Sequence, residues 1–304
     1  FLAFTFGSWG AGSALTFYLM TLQTNSVMLD DQLVAVPLFI FMGCMLERAG
    51  IAERLFDALF LWTRKLPGGL AVCTILLGVV FAAASGVVGA TETVIGLLAI
   101  PIMMKHGYDK SLISGTICSG GSLGTVIPPS VLVIIMAPVA DVSVGDLFAG
   151  LLFPGLIMAA LFIAYIVVRC MITPSLAPRI EIPVEDMPSW NEMIRSTGFA
   201  LLPPVFLIFT VLGTILMGLA TPTEAAACGA IGAVVLTALN GQFTISVLSD
   251  AARRTMLVTA MILTILLAGN MFAGVFIASG GISTVKDLIA ALDLSTWSIL
   301  LLIL

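Results

Sequence analysis

Residues 66–104 read LPGGLAVCTILLGVVFAAASGVVGATETVIGLLAIPIMM. The stretch is apolar except at its centre, where Ser85, Gly86, Gly89 and the triplet Thr91-Glu92-Thr93 interrupt it. Arg64 and Lys65 precede it and Lys105 follows. Lys and Arg accumulate on the cytoplasmic side of a membrane, so both ends belong on that side and the chain must turn back inside the bilayer. After the interruption only Val94 to Met104 remains, which as helix rises ~16 Å, about half the hydrocarbon thickness. The stretch therefore predicts a re-entrant hairpin with its tip near the midplane. Non-helical backbone at that depth is tolerated only where it is buried in protein or lines a wet cavity, which makes the tip a candidate site.

The whole chain agrees with a membrane setting. Of its 304 residues 60% are hydrophobic and only 10% charged, with a mean hydropathy of +1.18. A soluble domain carries about 25% charged residues, so a soluble enzyme is excluded and an all-α polytopic protein embedded in the lipid bilayer is predicted. A net charge of -5 with 12 Lys and Arg leaves no basic footprint for nucleic acid. Cys44, Cys73, Cys118, Cys170 and Cys228 stand singly without CxxC spacing, so neither a zinc site nor a disulfide framework is indicated. The sequence contains no HExxH, Walker A or dinucleotide fingerprint, which argues against an ATP-driven or redox role. The chain opens at Phe1 and stops at Leu304 inside an apolar run too short to cross a bilayer, and it reads as a fragment missing something at both ends.

Charge-free stretches divide the chain. Residues 1–65 are expected to hold scaffold helices and, over Ile51 to Lys65, an amphipathic helix on the cytoplasmic surface. Residues 66–140 would form a transport unit, comprising the hairpin at 66–104 and a broken helix at 111–140. A membrane helix at 147–168 leads to a proline-marked cytoplasmic linker at 169–197, and 198–304 would start a second, inverted repeat. This topology places every Lys and Arg inside except Lys286.

The broken helix is read from Ser119-Gly120-Gly121-Ser122-Leu123-Gly124 followed by Ile127-Pro128-Pro129-Ser130. Three glycines and two adjacent prolines disfavour a continuous helix, predicting one half-helix that ends near Ser119 and another that begins near Ser130. In the hairpin, the first arm would end near Ser85 and the second begin near Thr91. Helix N-termini offer partial positive charge and free N–H groups to a substrate carboxylate, and helix C-termini offer carbonyls to a sodium ion. The candidate substrate and sodium residues are Ser85, Gly86, Gly89, Ala90, Thr91, Glu92, Thr93, Ser119, Gly120, Gly121, Ser122, Gly124, Pro128, Pro129 and Ser130. Sodium is the only metal expected, and no other cofactor. The competing reading is that these glycines and prolines only permit close packing or kinking. Glu92 either coordinates a cation or carries a proton, or it sits on the first turn of its arm touching no ligand.

Two further motifs have plain explanations. Thr221-Pro222-Thr223-Glu224 fits a capping box with proline at the first helical position. Gly120 to Gly124 also fits the GxSxG pattern of a serine hydrolase, but that chemistry needs a preceding strand and a histidine partner. The single histidine, His106, lies in the charged loop at the membrane edge.

Taken in order, Val36-Pro-Leu-Phe-Ile-Phe-Met-Gly, Leu46-Glu-Arg-Ala-Gly-Ile-Ala, Leu66-Pro-Gly-Gly, Ser85-Gly, Gly107-Tyr-Asp, Ile127-Pro-Pro-Ser, Leu147-Phe, Pro154-Gly and Thr221-Pro-Thr-Glu-Ala-Ala-Ala resemble the large membrane subunit of tripartite ATP-independent periplasmic (TRAP) transporters. The similarity covers essentially the whole chain. It implies an elevator-type, sodium-coupled secondary transporter importing organic acids across a bacterial or archaeal inner membrane. It also implies two partners, a small membrane subunit and a periplasmic solute-binding protein that delivers an anionic substrate. The family's sites map onto Ser85 to Thr93 and Ser119 to Ser130, with the matching half of the site beyond Leu304. Many members carry serines after the Ser-Gly of the tip. Here the run is Ser85-Gly86-Val87-Val88-Gly89-Ala90-Thr91, which shifts the expected ion contacts towards backbone carbonyls. A related sodium/carboxylate symporter that needs no binding protein is the nearest alternative. A channel, or an intramembrane serine hydrolase, is the alternative of another class.

Overall fold

The computed structural model describes residues 3, 5, 7, 12–86, 88–140, 142–178, 190–291 and 297–298. The described residues are helical with no strand. They fall into two units, Asp31–Thr259 and Phe1–Asp30 with Ala260–Leu304.

In the smaller unit, α1 spans Ser13–Met28. The charge-free stretch from Phe1 to Leu29, part of the expected scaffold, is interrupted at Gly12, whose φ of +87° is outside the helical range. This unit also holds Gly274, which lies against the Gln23 side chain.

The larger unit carries the hairpin. A 3-10 turn at Asp31–Val34 leads into α2, Ala35–Arg48, and Gly50 at φ +66° turns the chain into α3, Ile51–Thr63. Two helices follow, α4 at Gly69–Ser85 and α5 at Val88–Lys105. They run antiparallel, as cross-arm contacts show. The hydroxyls of Ser85 and Thr91 share a hydrogen bond of 2.8 Å at the tip, Thr74 Oγ1 lies 4.0 Å from the sulfur of Met103, and the Leu70 N–H donates to the Tyr108 hydroxyl at the base. Burial is nearly complete along α4, from Leu70 to Ser85, because α3, α5 and the following helix α6, Lys110–Val126, all pack on it.

The second arm has 18 residues instead of eleven, starting at Val88, and Thr91-Glu92-Thr93 are helical. The arms are therefore ~26 and ~27 Å long at 1.5 Å per residue, and a short arm is not what places the tip. Helix is compatible with the two threonines of the triplet, whose hydroxyls find partners inside the hairpin. Thr93 donates to the carbonyl of Gly89, and Thr91 pairs with Ser85.

After α6 the chain breaks at Ile127–Ser130, resumes as α7, Val131–Ala140, and the two pieces are bent by 40°. Then come α8, Val144–Ile172; α9, Trp190–Leu216; α10, Pro222–Leu239; and α11, Ile245–Ala278. These four are long and apolar enough to cross a membrane. They expose large apolar side chains such as Phe153, Leu161, Phe199, Phe209 and Met256, which only lipid or further protein would cover. A last helix, α12, spans Gly281–Ala291.

Within the larger unit the basic residues gather at one end. Arg254 pairs with Glu47 at 3.1 Å, Arg48 with Asp250 at 3.7 Å, and Arg54 donates to Asn240. Trp62 meets Trp190 edge-on and donates to Thr197, and Leu176 accepts from the N–H of Asp109. Arg179, and residues 292–296 and 299–304 of the expected second repeat, lie outside the described residues. Towards the other end, Asp31, Ser143, Thr221 and Glu224 border a cavity of about 630 Å³. The capping box there is complete, with Thr221 accepting from the Glu224 N–H and Glu224 accepting from the Thr221 N–H.

Candidate functional site

Helix α4 stops at Ser85 because Gly86 adopts φ +61°, a left-handed conformation that only glycine takes without strain. The space is as restrictive as the torsion. A Cβ on Gly86 would lie 2.3 Å from the carbonyl oxygen of Pro129. The tip thus presses against the break in the next helix, and the Val131 N–H donates to the Gly86 carbonyl at 3.3 Å. One free donor of the α7 N-terminus and one free acceptor of the α4 C-terminus satisfy each other. Ser85 packs on Gly43 of α2, where a Cβ would come within 2.6 Å of its Cα.

Around this contact Ser85 and Thr91 are buried, and so are Pro128, Pro129 and Ser130. Ser130 is 0% exposed and its hydroxyl has no hydrogen-bond partner among the described residues. An unsatisfied buried hydroxyl costs about 1–3 kcal/mol. The peptide between Pro128 and Pro129 is cis.

The glycines predicted to break α6 do not. Ser119 to Gly124 are helical, and the first half-helix runs to Val126 rather than ending near Ser119. Ser122 donates back to the Ser119 carbonyl and Thr125 to that of Ser122. The glycines serve packing instead. A Cβ on Gly78 of α4 would meet the Gly120 carbonyl at 2.9 Å, and a Cβ on Gly121 would lie 1.9 Å from Cγ of Glu92. Small residues at such interfaces let helix backbones approach. Glu92 is thus half-buried, with its side chain laid across α6 at Gly121.

Of the candidate residues, the fold brings Ser85, Gly86, Thr91, Pro129 and Ser130 to one place. Pro128 is buried in the same break and Gly124 on the last turns of α6. Thr93 is exposed, and Gly89 has open space around it. The Ala90 side chain lies outside the described residues. Ser119 is elsewhere, lining a groove with Arg169. Gly43 and the Val131 N–H were not anticipated. Nothing in the apolar pattern around Gly43 distinguishes it from any other glycine in a membrane helix. Ser122 sits in mid-helix, not on the strand-to-helix elbow that a nucleophilic serine needs. The imidazole of His106 is engaged with the carbonyl of Ile102. In the loop joining hairpin and broken helix, Asp109 caps α6; hydrogen bonds from the Ser111 hydroxyl and N–H hold its carboxyl below the usual range.

Comparison with known proteins bears on what this arrangement is for. The family described as "Tripartite ATP-independent periplasmic transporter, DctM component" matches residues 2–304. The chain is 30% identical over 274 residues to a C4-dicarboxylate TRAP transporter large permease protein, DctM, of Pseudomonas aeruginosa, covering 89% of this chain and 62% of that protein. It is 32% identical over 244 residues to the ectoine/5-hydroxyectoine TRAP transporter large permease protein UehC of Ruegeria pomeroyi, covering 80% and 55%. An isethionate TRAP transporter permease protein, DctMQ, of Oleidesulfovibrio alaskensis is 28% identical over 272 residues, covering 89% and 42%. The chain thus spans about half the length of the curated relatives it matches.

Proposed function

The chain belongs to the DctM component family of TRAP transporters, and from that premise we propose that it forms part of the large permease subunit of a sodium-coupled, elevator-type importer of small organic anions. It would work in a bacterial inner membrane with a small membrane subunit and a periplasmic solute-binding protein. C4-dicarboxylates and isethionate, named for two relatives, are small anions of the kind a helix N-terminus suits.

One observation carries the sodium reading: the buried Ser130 hydroxyl, without a partner among the described residues, at the contact between hairpin tip and broken helix. Sodium takes oxygen ligands, and the donor set fits. Ser130, Ser85 and Thr91 supply hydroxyls, Pro129 a carbonyl, and the last turn of α6 carbonyls left free by the break. The ion would supply positive charge that holds the tip to the break. The substrate carboxylate would be met by the N–H groups of the first turn of α7 that follow Val131, whose own N–H is taken by Gly86. The hairpin and broken helix, residues 66–140, would move as the transport unit, with the remaining spans as scaffold.

The test is uptake by the full-length permease reconstituted in liposomes with its partners. Ser130→Ala should raise the sodium concentration for half-maximal uptake at least tenfold. Equal uptake when potassium replaces sodium would remove the ion. Sodium-driven uptake without the binding protein would favour a self-sufficient symporter, and downhill flux alone a channel.

A further inference from the structure

Away from the hairpin tip, α6 and α8 enclose a groove of about 340 Å³ whose polar lining comprises Ser111, Thr116, Ser119, Tyr165 and Arg169. Thr116 is the telling residue. It is 2% exposed and its hydroxyl has no hydrogen-bond partner among the described residues. Three other buried helical threonines, Thr74, Thr237 and Thr255, donate to the carbonyl four residues back. Thr116 lines the groove without making that bond. Arg169, in the last turn of α8, is exposed and has no ion pair among the described residues.

The groove lies at the basic end of the larger unit. Ser111 follows Lys110 in the first turn of α6, and Leu176, which also lines the groove, accepts from the Asp109 N–H. By the distribution of Lys and Arg, that end faces the cytoplasm. One turn before Arg169 stands Tyr165, 66% exposed, an amphipathic ring of the kind that sits at the headgroup level. Further along α8, Leu161 and Ile157 expose apolar side chains. The order along the helix is cation, then interfacial aromatic, then apolar surface, which is the order of phosphate, glycerol and acyl chain in a phospholipid.

We propose that this groove is a site for an anionic phospholipid of the cytoplasmic leaflet. Arg169 pairs with the headgroup phosphate, Thr116 and Ser119 donate hydroxyl hydrogen bonds to its oxygens, and the acyl chains lie along Leu161 and Ile157. A guanidinium and hydroxyls around a phosphate make charge-assisted bonds, and the Thr116 hydroxyl gains the acceptor that its helix does not give it. The lipid would tie the first half of the broken helix to α8. The inference rests on the membrane reading but not on sodium coupling.

Native mass spectrometry of the full-length permease with its small subunit, delipidated and titrated with phosphatidylglycerol or phosphatidylcholine, tests it. Tight phosphatidylglycerol adducts are expected, weakened at least tenfold in Arg169→Gln and about threefold in Thr116→Val, and unchanged in Arg254→Gln, whose guanidinium already pairs with Glu47. Phosphatidylcholine should bind less tightly. Glycerol 3-phosphate and inorganic phosphate at millimolar concentration should not displace the lipid. Equal binding by the wild type and both groove variants would overturn the site, as would an equal loss in Arg254→Gln. Displacement by the soluble phosphates would overturn the lipid assignment in favour of a free anion. Because uptake is not the readout, failure here leaves the transport reading standing.

Discussion

The protein contains two adjacent-proline pairs in apolar segments, and only one of them breaks its helix. Pro203 and Pro204 lie inside α9, which continues from Trp190 to Leu216. At Pro128 and Pro129 the helix stops, Ile127 goes to extended backbone at ψ 122°, and a new helix begins at Val131. Proline chemistry is the same in both places: a lost N–H and a clash with the preceding turn. The surroundings differ. Beside Pro203, Phe199 and Leu202 are exposed, Pro204 is buried, and among the described residues no backbone group of another element bonds to this stretch. At Pro129 the hairpin tip is in contact, and the Gly86 carbonyl takes the Val131 N–H. Membrane backbone opens where a second element receives what the break releases.

The strongest way to break this comparison is to remove the receiver. Gly86→Val places a β-branched residue at φ +61° and a Cβ 2.3 Å from the Pro129 oxygen. Such a left-handed residue alone costs roughly 1–3 kcal/mol. Uptake by the reconstituted transporter should fall more than tenfold while the protein still reaches the membrane; wild-type uptake would show that the tip contact is dispensable.

Replacing the prolines themselves has the next largest expected effect. Pro128→Ala with Pro129→Ala should favour continuous helix across the break and lower uptake several-fold. The same double change at Pro203 and Pro204 should leave uptake within about twofold and raise thermal stability, since each helical proline costs up to ~3 kcal/mol. Equal effects of the two double variants in paired uptake and melting measurements would sink the distinction.

The smallest effect sharpens the point from a third proline. Pro222 occupies the first position of α10, where its missing N–H was free of a helical partner anyway, and Thr221 supplies the cap. Thr221→Ala should cost about 1 kcal/mol, seen as a lower melting temperature with uptake retained.

Much of the fold was legible beforehand. The scarcity of charge required a membrane, Arg64, Lys65 and Lys105 put both hairpin ends on one side, and the capping box was readable residue by residue. The site was legible only in part. Ser85, Gly86, Pro129 and Ser130 meet, whereas the run Ser119 to Gly124 is continuous helix despite its glycines. A glycine in an apolar segment serves equally as a helix breaker or as a flat surface for a neighbour. Gly120 and Gly121 are the second kind because Gly78 and Glu92 lie over them. Similarly, Thr91 to Thr93 looked like loop because their hydroxyls are polar, yet those hydroxyls bond within the hairpin.

By itself, then, the sequence determined that this chain lives in a bilayer, which of its ends carry positive charge, and where its polar interruptions fall, because hydropathy and charge act on each residue wherever its neighbours are. Which interruption opens the backbone was decided by tertiary structure alone. In a medium without water, an N–H or carbonyl leaves its helix only when another part of the protein stands ready to bond it, and the partner of Val131, Gly86, lies 45 residues away in the chain.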